Sequence, residues 1–376
     1  MRILHICTDR NIGGAGIWIL NLLKSAERER FESAVLLPAG AALAPLLEKE
    51  QIPVIEAPIA EKSLDIGSIP ALLRAISDFS PDIVHTHGSL SGRIAARLKG
   101  RKVVVTRHWV DLPDSAKKRG LGAKFAGWVN SGLADMFIAT AQKAAGNLIQ
   151  SGVNPDKIRV IPNGTALLSE LTETEIAEEK ARLGLSGFVI GILARLESVK
   201  GHIYLLKAAK RLKEQGRDFH ILIAGSGTME AELKAKTQEL GLDREITFLG
   251  FVSAPGQFLS ILDLQVNASY TETTCLALLE GMRIGLPAIA SDGGGNPEVI
   301  TDEENGLLFP VADAEALARG IGRLMDNKDL LDSLGTRAAE RYRENFTAEI
   351  FSQRVSSVYT EIYNEKTQRQ KAGKRG

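Results

Sequence analysis

The sequence predicts an α/β protein built from two doubly wound domains, each around a mostly parallel sheet. Three observations carry that expectation. Short apolar runs alternate with helical-period segments from the first residue onward. The alternation pauses at a polar stretch, residues 170–180, and restarts at Phe188. The length of 376 residues suffices for two domains, each large enough to bury a core.

Composition narrows the function classes. Apolar residues make up 44% and charged residues 24%, as in an ordinary globular chain. Lys plus Arg and Asp plus Glu number 46 each, so no basic excess points to nucleic acid or another bulk polyanion. Two cysteines, Cys7 and Cys275, make no disulfide framework and fit a reducing compartment. Residues 1–7 carry too short an apolar run for a signal peptide, and no run approaches the roughly 20 apolar residues that span a bilayer. A cytoplasmic protein is expected.

In the first half, residues 3–7 read as a strand feeding Gly13-Gly14-Ala15-Gly16 and a helix with Ile17, Leu20, Leu23 and Ala26 near the 3.6 period. Ile19 stands where the last glycine of Gly-x-Gly-x-x-Gly belongs, so the dinucleotide fingerprint is incomplete. The turn is either a plain structural turn or one that lets backbone N–H groups approach a ligand. Its place between a first strand and a helix favours the second reading. Further strands are expected at 33–37, 54–55, 83–85, 103–106, 136–139 and 159–161. His85 and His87 stand two apart at a strand end, facing one side if the strand persists. With no third metal ligand nearby in the sequence, packing or hydrogen bonding is expected of them rather than metal binding. His108 follows another strand end, where substrate contact and a bland loop position both remain open.

Residues 115–134 contain no acidic residue but include Lys117, Lys118, Arg119 and Lys124, and Leu121, Phe125, Trp128 and Val129 share one helical face. This suits either a basic amphipathic helix on an anionic membrane or a domain helix with a core face. Gly120, Gly122 and Gly127 weaken both. Ile161-Pro162-Asn163-Gly164 then closes the seventh strand, and residues 170–180 read as a linker.

In the second half, strands are expected at 188–193, 219–224, 246–249, 264–266 and 288–290, with helices through Leu205, Ala208 and Leu212 and over 229–240. Gly225 and Gly227 again lack the third glycine, Glu230 standing in its place. Arg195 and Lys200 fall in a strand-to-helix loop, where two cations beside a helix start suit a diphosphate and solvated surface charge is the other reading. Charge-assisted hydrogen bonds there contribute about 1.5–3 kcal/mol each. Glu272 and Glu280, eight apart, flank another such turn, and Gly293-Gly294-Gly295 follows the next apolar run. Residues 314–363 read as helical, followed by a basic, frayed tail.

Taken together, these residues resemble a family 4 glycosyltransferase of the GT-B architecture over nearly the full length. The likeness rests on Glu-x7-Glu at Glu272 and Glu280 with the Gly-Leu-Pro and Gly-Gly-Asn-Pro-Glu runs after it. It also rests on the glycine turn at 13–14, His-x-His at 85–87, His108, Ile-Pro-Asn-Gly at 161–164, and Ala194-Arg195-Leu196 followed by Lys200-Gly201. The resemblance implies two Rossmann-like domains facing across a cleft, 1–168 for the acceptor and 169–347 for the donor. A helix from about 348 would cross back, so that 348–376 joins the first domain.

The resemblance also implies roles. Arg195 and Lys200 would hold the donor diphosphate, Glu272 the transferred sugar and Glu280 the ribose. Backbone groups of Thr273, Thr274, Cys275 and Leu276 would meet sugar hydroxyls and phosphate. Gly13 and Gly14 would close on the phosphate, and His108 would sit beside the reacting sugar. Transfer would retain configuration and need no metal or cofactor; no Asp-x-Asp occurs in the chain. Departures from the family pattern are Thr273-Thr274-Cys275 after Glu272, in place of x-Phe-Gly, with Ala166, Ala194 and Thr140.

The expected activity moves a hexose or N-acetylhexosamine from a UDP- or GDP-type donor to a glycan, lipid-linked or small acceptor, in the cytoplasm or at the inner face of the membrane. The alternatives are a non-catalytic nucleotide-sugar-binding protein and an NAD-dependent dehydrogenase.

Overall fold

The computed structural model describes residues 1–25, 30–110, 127–129, 131–166 and 168–373, with side chains through Asn364. The chain divides into two compact units, Met1–Ala166 with Thr347–Gly376, and Leu167–Phe346. The boundaries read from the sequence were 168/169 and 347/348.

The first unit is a seven-stranded parallel sheet in the order β3-β2-β1-β4-β5-β6-β7. Its strands are β1 Arg2–Cys7, β2 Glu32–Pro38, β3 Val54–Ala57, β4 Ile83–His87, β5 Lys102–Arg107, β6 Met136–Ala139 and β7 Ile158–Val160. Side chains alternate between the faces with the period of two that a strand imposes. Ile3 and Cys7 join Val35 and Leu37 on one face, whereas Leu4 and Ile6 join Ala34 and Leu36 on the other. Both faces are buried, so the strands read as continuous apolar runs.

On the Ile3 face the helix Gly14–Leu23 contributes Trp18 and Ile19, and the last helix, Ala348–Gly373, contributes Phe351, Val355, Val358, Tyr359 and Ile362. The terminal helix thus belongs to the first unit although the second unit interrupts the chain. It enters beside Thr165, which bridges to Thr347. Its helical backbone runs through Gly373, beyond the point where fraying was expected.

The second unit holds six parallel strands ordered β10-β9-β8-β11-β12-β13: β8 Phe188–Leu193, β9 Phe219–Ala224, β10 Ile246–Gly250, β11 Leu264–Asn267, β12 Ala288–Ser291 and β13 Leu307–Phe309. Its main core gathers Ile190, Ile192, Ile221, Ile223, Leu264 and Val266 from the sheet with Leu205, Leu206, Leu212 and Ile321 from the helices.

The structure departs from the sequence expectations in three places. Residues 170–180 are no linker: Glu173–Arg182 is a helix whose start is locked by a reciprocal cap between Thr172 and Glu175. Its low apolar content hid it. The three-residue strand β13 was not expected at all. The stretch 314–363 is three helices, broken at Asn327, whose side chain accepts from Leu330 N, and again before Ala348.

Candidate active site

In each unit the strand order reverses once, and in open α/β sheets loops at the carboxyl ends of strands beside that reversal form the binding crevice. In the second unit the reversal falls between β8 and β11. The loop after β8 carries Arg195 and Lys200, and the loop after β11 carries Glu272 through Leu276. A backbone bond from Tyr270 N to Val199 O, 2.8 Å, ties the two loops together.

Lys200 ends a short helical turn, Ser198–Lys200, and its Nζ lies 2.5 Å from Glu272 Oε1. Both side chains are largely buried, at 19% and 12% exposure. Burial opposes the ammonium, but the Glu272 carboxylate outweighs that through its charge and its hydrogen bond and holds the Lys200 pKa above its ordinary value. Ser269 Oγ donates to the same Glu272 oxygen at 2.7 Å, which leaves Oε2 without a partner among the described residues. Arg195 is exposed and close enough to act electrostatically on Lys200.

Beyond Glu272 the chain enters the helix Leu276–Arg283, with Cys275 at its cap position. No side chain caps this helix and no acidic residue occupies its first turn, so its end keeps the positive potential of unpaired N–H groups. The Cys275 thiol accepts from Asn267 Nδ2 at 3.1 Å. Burial first, then the Glu272 charge, push its pKa up to about 12, so it is a neutral packing group and no nucleophile. On the same helix, burial raises the Glu280 carboxyl to about 7, with Arg283 pulling the other way.

The turn is held from behind. Asn296 Nδ2 donates to Asn267 Oδ1 (3.2 Å) and to Ser291 O (3.0 Å), while Ser269 N donates to Asn267 Oδ1 at 3.1 Å. Gly295 N donates to Glu272 O at 2.9 Å. Gly294 has φ +63°, and a Cβ there would lie 2.2 Å from Glu272 O, so only glycine lets this segment close on the Glu272 backbone. The Gly225–Gly227 pair has a comparable structural duty. At φ +141° a Cβ on Gly225 would stand 1.9 Å from Ala194 O, so the pair serves the packing of the Arg195 loop.

In the first unit the reversal lies between β1 and β4. Gly13 caps the helix Gly14–Leu23, which has neither a side-chain cap nor an acidic first turn. A Cβ on Gly14 would meet nothing within 4 Å, so the fold itself does not demand glycine there. Trp18, on the same helix, packs its indole 5.6 Å from the ring of His108, which follows β5.

Behind His108 lies a cluster the sequence did not foretell. Parallel pairing sets His5 of β1 directly beside His85 of β4, and β4 extends through His87. Nitrogens of His5, His85 and His87 come within 4.8 Å of one another, so the premise that no third ligand lies near is overturned. All of their ring nitrogens but His5 Nε2 are nonetheless committed to hydrogen bonds. His85 is bonded to Tyr359 Oη (2.6 Å) and Thr106 Oγ1 (2.7 Å), and His87 to His5 (3.2 Å) and His108 (2.9 Å). Burial drives the pKa of His5 and His108 down to about 3 and that of His85 and His87 well below the ordinary value.

The structure therefore brings Lys200, Glu272 and the 273–276 turn together and sets Arg195 beside them, with Glu280 on the helix that follows. It places Gly13, Gly14 and His108 in the first unit. Sequence reasoning missed His5, Trp18, Asn267, Ser269, Asn296 and Tyr359. Of these, only the position of Asn296 inside the Gly-Gly-Asn-Pro-Glu run carried a signal. Most of 115–134 lies outside the described residues; of its apolar face, Trp128 is 70% exposed.

Residues 12–167 match the family described as Glycosyltransferase Family 4, and residues 174–341 match Glycosyl transferases group 1. EpsD of Bacillus subtilis (strain 168), which bears a glycosyltransferase name, is 30% identical over 84% of this chain and 86% of its own. The chain belongs to glycosyltransferase family 4.

This family 4 enzyme is also 30% identical, over 71% of the chain and 72% of the relative, to the UDP-Gal:alpha-D-GlcNAc-diphosphoundecaprenol alpha-1,3-galactosyltransferase of Escherichia coli. Its fold is GT-B. HepE of Anabaena, crystallised with UDP-glucose, superposes with a TM-score of 0.84 at 22% identity over 96% of this chain and all of that one. Sucrose-phosphate synthase of Thermosynechococcus elongatus does so with 0.78 at 20% identity over 97% of this chain and all of that one. The chain is a glycosyltransferase that uses nucleotide sugars, and the dehydrogenase and non-catalytic readings fall away.

Proposed function

We propose that this enzyme transfers a hexose or N-acetylhexosamine from a UDP-sugar to a lipid-linked acceptor, with retention of configuration and without a metal ion. The observation that carries the reading is the Lys200–Glu272 pair in front of the open end of helix Leu276–Arg283, with Arg195 in the same loop. A departing nucleoside diphosphate needs its growing charge stabilised, and two cations plus a helix end can supply that. In this reading the acceptor hydroxyl oxygen attacks the anomeric carbon on the face the diphosphate leaves. The bond from that carbon to the phosphate oxygen breaks, and the acceptor proton passes to the departing phosphate. Lys200 shifts from Glu272 toward the diphosphate, freeing Glu272 to accept from sugar hydroxyls, while Glu280 accepts from the ribose. In the first unit, Gly13 and Gly14 leave room for a phosphate at a helix end, and His108 serves the reacting sugar.

UDP is favoured over GDP by the Escherichia coli relative, whose name specifies UDP-Gal, and by the UDP-glucose complex of HepE. The lipid-linked acceptor is favoured by the diphosphoundecaprenol in the same relative's name. The basic stretch 115–134 would then meet the anionic surface that holds the acceptor.

A thermal-shift screen across UDP-, GDP- and ADP-sugars tests the donor. A cognate donor at about 100 times its Kd adds roughly 2.7 kcal/mol of stability. Stabilisation by GDP- or ADP-sugars alone would refute the UDP reading. With the responding donor and a polyprenol-diphosphate sugar acceptor, an inverted anomer in the product would refute retention.

A further inference from the structure

His5, His87 and His108 are joined tip to tip. His5 Nδ1 lies 3.2 Å from His87 Nε2, and His87 Nδ1 lies 2.9 Å from His108 Nε2. The ring centres are 5.5 and 5.2 Å apart, with planes inclined by 18° and 27°. In each pair the centres are thus 2.3 Å farther apart than the nitrogens (5.5 against 3.2 Å; 5.2 against 2.9 Å), which is the span of two ring radii. The nitrogens therefore face each other along the line of centres, as in a linear hydrogen-bonded imidazole chain. His85 stands outside this line. It stacks on His87 at 4.5 Å, with both nitrogens taken by Tyr359 and Thr106.

A neutral imidazole carries one N–H and one bare nitrogen, so the chain has a direction, and one proton position sets the other two. The inner end decides which. Among the described residues, His5 Nε2 is buried and has no partner. If every Nε2 carried the proton, His5 would bury an unpaired N–H. If every Nδ1 carries it, His5 buries only a bare lone pair, and orphaned donors are the rarer and costlier case. We infer that His5 and His87 are positioning residues that fix His108 as its Nδ1–H tautomer, so that His108 offers a hydrogen-bond donor, not a base, to an oxygen of the bound sugar.

Burial keeps all three rings neutral near pH 7, which the directional chain requires. Trp18 lies against His87 and His108 at 5.0 and 5.6 Å and shields the chain from water. The contact of His108 with sugar rests on the function proposed above; the tautomer does not.

Long-range 1H–15N spectra of the ligand-free, 15N-histidine-labelled protein report each tautomer directly. His108 is expected as Nδ1–H in the wild type and in His87→Asn, whose amide can donate from the Nδ1 position. In His87→Phe it should revert to the Nε2–H form that free imidazole side chains prefer. Transfer by His87→Phe should fall roughly 10- to 100-fold in kcat with little change in KM for the nucleotide sugar, and His87→Asn should recover most of it. A wild-type His108 protonated on Nε2, or an unchanged tautomer in folded His87→Phe, overturns the inference. The wild-type spectrum needs no variant, so misfolding of His87→Phe leaves the test decisive. Should His108→Ala transfer sugar at the wild-type rate, the catalytic reading of His108 fails while the tautomer result stands.

Discussion

Glu280 holds a carboxyl that burial lifts from an ordinary 4.5 to about 7. Between those values the folded state binds the extra proton, so this group's contribution to stability falls as pH rises from about 4.5 through 7. The full effect is about 3 kcal/mol above pH 7, as an order of magnitude. Glu280→Gln should therefore gain melting temperature over the ligand-free wild type as pH goes from 5 to 8, and lose affinity for the nucleotide sugar. A melting difference independent of pH would contradict the burial account. A buried carboxyl kept at a cost to the fold suits the proposed ribose contact, because hydroxyls of the ligand would supply hydrogen-bond donors to it. Glu280 and Glu272 were legible in the sequence from their spacing beside a strand-to-helix turn. Their different states were not, because burial and the Lys200 ion pair are set by residues distant in the chain.

At the level of elements, the active-site turn is shaped by what packs behind it. Gly294→Ala places a Cβ at 2.2 Å from Glu272 O in a left-handed backbone conformation. It should lower the melting temperature and weaken donor binding together; a variant with unchanged donor affinity would show that the turn is not held this way. The last helix has an analogous hold on the first unit through Tyr359, whose hydroxyl meets His85 Nδ1 at 2.6 Å. Tyr359→Phe leaves that buried nitrogen short of a partner and should cost about 1–3 kcal/mol in denaturant unfolding; an unchanged midpoint would deny the bond its weight.

Most long strands were readable from apolar runs bounded by turn residues. The helix Glu173–Arg182 was not, since it buries no residue and shows itself only through its cap. The histidine chain was invisible for a different reason. His5 and His85 become neighbours through strand register, and register between distant strands is not written in any local spacing.

On the scale of the whole molecule, two sheets of the same winding share one chain, and the terminal helix returns to the unit it left. The duplication was legible because the alternation of strands and helices restarts at Phe188. The acceptor was not, because the sequence outside the donor motifs carries no transferable code. Metal independence is testable at this scale: turnover after exhaustive EDTA dialysis should equal that of the untreated enzyme, and restoration by Mg²⁺ or Mn²⁺ of a lost activity would contradict it.

In the proposed reaction Arg195 and Lys200 stabilise the departing diphosphate. Release of UDP from the cognate donor in the presence of acceptor, measured for Arg195→Ala and Lys200→Ala beside the wild type, tests it most directly. Turnover should fall roughly 10²–10³-fold in each variant, the scale of losing one charge-stabilising donor. Near wild-type turnover in both would rule out the diphosphate role.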